Sequence, residues 1–107
     1  MKSLSLFAFL LCFSFITQAQ TSDTSAVRIE IDSLISLNKT LVQEQKLDEA
    51  ITVMENASEK CLEAFGEKTA LYSMINNLMG INYYYKGQLS KVEIYWLKAK
   101  EVRELEL

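Results

Sequence analysis

Histidine and proline are both absent from the 107 residues; glycine occurs three times, cysteine and arginine twice each. Without histidine the chain lacks the commonest general base and metal ligand near neutral pH, and no catalytic motif stands in its place. No catalytic residue, cofactor or metal is therefore expected. Without proline, and with no alternation of β-branched and polar residues, the strongest punctuation left is glycine. Gly66 and Gly87 each follow a helical run, where a left-handed residue serves as a stop. The composition thus points to an all-α chain.

Residues 1–19 read as a cleaved signal peptide. Lys2 supplies a positive start, Leu4 to Ile16 is almost wholly apolar, and Thr17-Gln18-Ala19 puts a small residue at the expected cut. Those 13 residues fall short of the roughly 18 to 20 that cross a bilayer, so no membrane span is expected after cleavage. The product is then exported, which leaves periplasmic, extracellular and surface-associated destinations open. A lipidated Cys12 is disfavoured, because Leu11 precedes it and it lies inside the apolar run. Loss of Lys2 takes the basic count from 11 to 10 against 14 acidic side chains, a net charge of −4. With Arg28 and Arg103 as the only arginines there is no basic stripe, so nucleic acid is not an expected partner. Cleavage also removes Cys12. Cys61 is then a lone thiol in an exported chain, read as a small apolar residue on an inner helix face.

What is present is a pattern that occurs twice. Leu34, Leu37, Asn38, Leu41, Leu47, Ala50, Met54 and Ala57 reappear 42 residues on as Asn76, Met79, Gly80, Tyr83, Leu89, Val92, Trp96 and Ala99. A constant offset of this size implies stacked supersecondary units, none able to bury its apolar face alone. After a disordered lead at 20–25, a helical repeat domain spans 26–107, with repeat one at about 31–66 and repeat two at about 73–107. Four helices are expected, near Ala26–Gln45, Leu47–Phe65, Lys68–Lys86 and Gln88–Leu107, with Gln45-Lys46 making the first turn without glycine. Ala50, Ala57, Gly80 and Ala99 let helices approach, while Leu41, Met54, Tyr83 and Trp96 fill the space between them. In that role Trp96→Ala would cost on the order of 3 to 5 kcal/mol.

These residues resemble the tetratricopeptide repeat. Met79-Gly80, Tyr83, Gly87, Val92, Trp96 and Ala99 carry the likeness in the second copy; Leu37, Leu41, Leu47-Asp48-Glu49-Ala50-Ile51, Met54 and Ala57 carry it in the first. The 42-residue period, in place of the commoner 34, is similar to kinesin light chains and to bacterial arrays that precede a caspase-like CHAT domain. Asn38 stands where glycine is usual and would hold the helices further apart. Val92 replaces a small alanine, and Asn76-Asn77 sit one residue early. The resemblance implies a short α-solenoid of two helix-turn-helix pairs with a partner surface on the inner face of each first helix. Position by position that gives Asp32, Ile35, Lys39, Val42 and Gln43, then Met74, Asn77, Ile81, Tyr84 and Tyr85. The second set suits an extended peptide; its tyrosines could equally pack on a neighbouring repeat. Basic residues that clamp a C-terminal carboxylate in some relatives are missing beyond Lys39.

Other constellations are weak. Glu44, Asp48 and Glu49 lie across a helix turn without the alternating oxygens of a calcium loop. Asn38-Lys39-Thr40 and Asn56-Ala57-Ser58 match the glycosylation pattern by chance, and Gly66-Glu67-Lys68-Thr69 lacks the glycine loop of a phosphate site. Ile94, Leu97 and Leu105 form a further apolar stripe on the last helix that a downstream repeat, a second copy or a partner would cover. The sequence therefore suggests an exported, non-catalytic scaffold that binds another protein or peptide. Two alternatives stand beside it: the regulatory front end of a larger CHAT-type protease or signalling kinase, and a helical domain that self-associates through its last helix.

Overall fold

The computed structural model of the protein describes residues 24–106, without the side chains of Arg103, Leu105 and Glu106. The signal at 1–19, its cleavage point, Cys12, and residues 20–23 of the lead lie outside the described residues. Four helices make up nearly all of what is described: α1 (24–43), α2 (Leu47–Phe65), α3 (Ala70–Lys86) and α4 (Leu89–Glu106), with no strand among the described residues. None of these helices is long and apolar enough to cross a membrane. Thr24 and Ser25, assigned to the lead by composition, belong to α1. The exposed first turn of a helix accepts small polar residues, so their polarity was a poor boundary marker.

Contacts join the far ends of successive helices, so each runs antiparallel to the one before. Lys60 Nζ lies 2.9 Å from Glu30 Oε1 between α1 and α2. Cys61 Sγ meets Thr69 Oγ1 at 3.9 Å, and Lys86 pairs with Asp48 at the other end of α2 and α3. Ser73 Oγ donates to the Ala99 carbonyl at 2.8 Å, while the Tyr83 and Tyr95 rings stack with centroids 5.4 Å apart, tying α3 to α4.

The turns follow from local chemistry. Gln45 takes the left-handed position with φ 61°, donating to the Val42 carbonyl at 3.0 Å, while Lys46 N–H reaches back to Leu41 at 2.8 Å. Gly87 (φ 82°, ψ 15°) closes α3 with the same pair of bonds: its N–H donates to Tyr84 O and that of Gln88 to Tyr83 O, both at 3.0 Å. Between them, Gly66 ends α2 and Thr69 caps α3, its hydroxyl accepting the Tyr72 N–H at 3.1 Å. The four residues Gly66 to Thr69 are thus a linker and a cap. Because Thr69 is the cap, α3 starts at Ala70 and not at Lys68.

The core is one cluster that includes Ile31 of α1, Ile51, Met54, Ala57 and Cys61 of α2, Leu71, Ile75, Met79 and Tyr83 of α3, and Val92 of α4. Leu41, Ala50 and Ala99 are buried as well, as the repeated pattern requires. Three positions of that pattern are exposed, Leu37 at 45 %, Leu89 at 65 % and Trp96 at 44 %, and Leu34 and Leu47 are half-buried. Their counterparts 42 residues away explain why. Met79, matching Leu37, and Met54, matching Trp96, are 2 % and 0 % exposed because α2 and α3 cover each other. Among the described residues nothing lies before α1 or beyond α4, so Leu37, Leu89 and Trp96 have no neighbour on that side. Trp96 still makes a close contact, since a Cβ added to Gly80 would stand 2.3 Å from its Nε1. Its ring caps the glycine from one side instead of filling the core.

Candidate functional site

The repeat spacing that buries one stripe of α1 and α3 leaves another stripe facing a shared groove. Residues three and four apart lie on one helical face. Ile35, Lys39 and Val42 therefore project together from α1, as Leu78, Ile81 and Tyr85 do from α3, and all six line one groove with Gln43, Asn38 and Asn82. Val42, Gln43 and Tyr85 also line a second hollow that runs on to Gln45 and Leu47 at the first turn. The two hollows border on those three residues and together make up the channel.

Of the side chains expected to meet a partner, Ile35, Lys39, Val42, Gln43, Ile81 and Tyr85 come together in this channel. Asp32, which pairs with Arg28, and Met74, Asn77 and Tyr84 do not. Met74 and Asn77 lie further up α3, both exposed, and line no part of the groove. Tyr84 is 56 % exposed and touches the groove only through Tyr85, edge to face, with centroids 6.1 Å apart. A step of about 100° per residue places three consecutive tyrosines on three faces, so only one of them can share the floor with Ile81. Tyr83 turns the other way, into the core, with the Lys91 ammonium 5.0 Å from its ring centroid.

Three groove residues, Ser36, Leu78 and Asn82, escaped sequence reasoning. Leu78 is masked by the repeat pattern, which highlights its neighbour Met79. Asn82 lies 44 residues after Asn38, so a 42-residue comparison never pairs them. In the structure Asn82 Nδ2 donates to Asn38 Oδ1 at 2.7 Å, both residues being almost fully buried. Asn38 is thus more than a spacer: it joins α1 to α3 behind the groove. Asn82 Oδ1 has no partner. Buried and bonded, Asn38 is no sugar acceptor.

The groove's electrostatics are simple. No carboxylate lines it, and Lys39 makes no ion pair among the described residues. The neighbouring cations are matched: Lys46 Nζ lies 3.4 Å from Glu44, and Lys86 pairs with Asp48. Those two carboxylates, considered above for calcium, are held by lysines. Among the described residues no three of His, Cys, Asp and Glu are grouped to hold a metal. Cys61 is fully buried near the end of α2, where burial pushes its thiol pKa up against the opposing pull of the Thr69 hydroxyl and Arg28. Such a thiol is held neutral and poorly nucleophilic.

On the last helix Ile94 is 53 % and Leu97 56 % exposed, next to the half-covered Trp96. The side chain of Leu105, the third residue of the expected stripe, lies outside the described residues. No family model matches the chain, and neither a curated protein nor a solved structure does.

Proposed function

We propose that this chain is an exported, non-catalytic interaction module that holds an extended polypeptide in the channel between α1 and α3. The observation that carries the reading is the convergence of Ile35, Val42, Leu78, Ile81 and Tyr85 on one floor, with Lys39 and Gln43 beside it and no opposing carboxylate. An aromatic ring over aliphatic side chains, with a few placed polar groups, is the composition of a binding surface. The resemblance to tetratricopeptide repeats, with a two-pair α-solenoid behind a cleaved signal peptide, supports the same reading, because that family presents partners to this face.

The test is to select binders from a displayed random-peptide library and measure them against variants. Tyr85→Ala is expected to weaken the selected peptides by about thirtyfold or more, the loss of an interface anchor of roughly 2 kcal/mol. Tyr84→Ala should change affinity by less than a factor of about three, with circular dichroism unchanged in both. Peptides that ignore Tyr85→Ala would contradict the proposal.

A second reading has an observation of its own. Ile51, Met54 and Cys61 of α2 are buried in the cluster with α3, and their equivalents 42 residues on are Glu93, Trp96 and Arg103. A further pair stacked on α4 as α3 stacks on α2 would cover the open side of Trp96. Trp96 alone favours the front of a longer repeat array, such as one attached to a CHAT-type protease or a signalling kinase, because Glu93 and Arg103 are charged where Ile51 and Cys61 are buried. It does not account for Ile94 and Leu97, whose equivalents Thr52 and Glu55 face water on α2. That pair suits a different contact, with a partner or with a second copy of the chain.

A further inference from the structure

We infer that copies of this chain stack head to tail, the outer face of α4 in one copy seating Trp96 and Leu97 in the hollow that Leu37, Leu41 and Val53 line on the next. The seam between α2 and α3 is the template. Met54 on its one side and Leu71 and Met79 on its other are buried. Their counterparts one 42-residue period away lie on the two open sides of the molecule, Trp96 on α4 and Ile29 and Leu37 on α1, and all three are exposed. A further pair after α4 would cover Trp96 and leave Ile29 and Leu37 open, whereas a second copy covers both sides with one kind of contact. The register carries over too. Tyr95 of α4 lies in the field of Glu55 of α2: burial is the main cause that raises its phenol pKa, and the Glu55 charge adds to the rise. Shifted by one period, these neighbours become Leu97 of one copy beside Val53 of the next, an apolar pair in place of a charged one. Leu37 and Val53, the positions that the shift selects on the receiving side, line a single hollow with Leu41, Asp48, Glu49 and Thr52. A protruding ring on one side of the molecule thus matches a recess on the other. Glu93 and Arg103 stand where Ile51 and Cys61 are buried, and Ser33 where Ile75 is, so the contact between copies is weaker than the internal seam and reversible. Because the two surfaces differ, stacking does not close at two copies but continues.

The test is sedimentation velocity of the chain as recovered from its own cells, beside Leu37→Lys and Leu97→Lys variants, both positions being exposed enough to accept a charge without loss of fold. The native chain is expected to gain mass steadily, past the dimer, between about 10 μM and about 1 mM. Each variant alone should stay monomeric. An equal mixture of the two should form a dimer and nothing larger, because each supplies the face that the other lacks. Should a variant fail to fold, the native chain still decides by its amide shifts on dilution: changes at Leu37 and Val53 together with Trp96 and Leu97 support stacking, and changes on α4 alone contradict it. A native chain that is monomeric throughout that range overturns the inference. So does a Leu37→Lys variant that still dimerises, which means a closed pair of α4 helices, and so does extra mass beyond Leu107 with a blue-shifted Trp96 emission in the monomer, which means that another helix covers the ring. The hollow shares no residue with the groove between α1 and α3, so either result leaves the peptide proposal to its own test.

Discussion

Gln45 is the residue at which a strained turn and the proposed binding channel meet. It occupies the left-handed turn position after α1 with φ 61°, where the matching turn after α3 uses Gly87. A side chain with a Cβ is strained there by roughly 1 kcal/mol, and glycine is not. Gln45→Gly should therefore raise stability by about 0.5 to 1 kcal/mol, and Gly87→Ala, with open space around its Cα, should lower it by a similar amount. Urea denaturation of the two variants checks both signs. Because Gln45 also lines the far end of the channel, a stabilised Gln45→Gly that binds peptide less well would point to its side chain as part of the floor. Lys39 and Gln43 were legible as groove residues only through the resemblance to tetratricopeptide repeats. Asn82 was not, because its importance lies in a hydrogen bond across 44 residues that no local pattern announces.

At the scale of the helices, α3 carries the fold. It contributes Leu71, Ile75, Met79 and Tyr83 to the cluster and meets α2 on one side and α4 on the other. Its seam with α4 depends on Gly80, over which the Trp96 ring lies so closely that a methyl group cannot fit without moving it. Gly80→Ala is expected to cost about 1 to 3 kcal/mol through this overlap. Trp96 is 44 % exposed, so Trp96→Ala should cost about 1 to 2 kcal/mol, well short of the 3 to 5 that a wholly buried ring implies. Combined, the two changes should cost less than their sum, because with the ring gone the new methyl meets nothing. A double-mutant cycle by thermal unfolding measures that coupling, and strict additivity would mean that ring and glycine do not interact. The helices themselves were readable from the 42-residue pattern and two glycine stops, and α2 runs from Leu47 to Phe65 as expected. What periodicity does not encode is which member of a repeated pair has a neighbour. Leu37 and Trp96 share their pattern positions with the buried Met79 and Met54, yet each remains half open.

For the molecule as a whole, the two outer faces are unlike the seam between α2 and α3. Within that seam small and large apolar side chains alternate, while Ser73 ties α3 to α4 and the Asn38–Asn82 pair ties it to α1. Outside, α4 shows Leu89, Ile94, Trp96 and Leu97 to solvent. Apolar residues on both sides of one helix are characteristic of an element meant to be covered twice. The channel between α1 and α3 is a separate surface, neutral along its floor and bounded by Lys39, on the side of α3 away from α4. Binding could therefore fall on either face, and the two give different signals. The most direct test of the channel is an amide chemical-shift map of the chain on titration with a selected peptide. Shifts centred on Ile35, Lys39, Val42, Ile81, Asn82 and Tyr85 are the result expected here. Shifts confined to Leu89, Ile94, Trp96 and Leu97, with the channel unmoved, would contradict the account and make α4 the working surface.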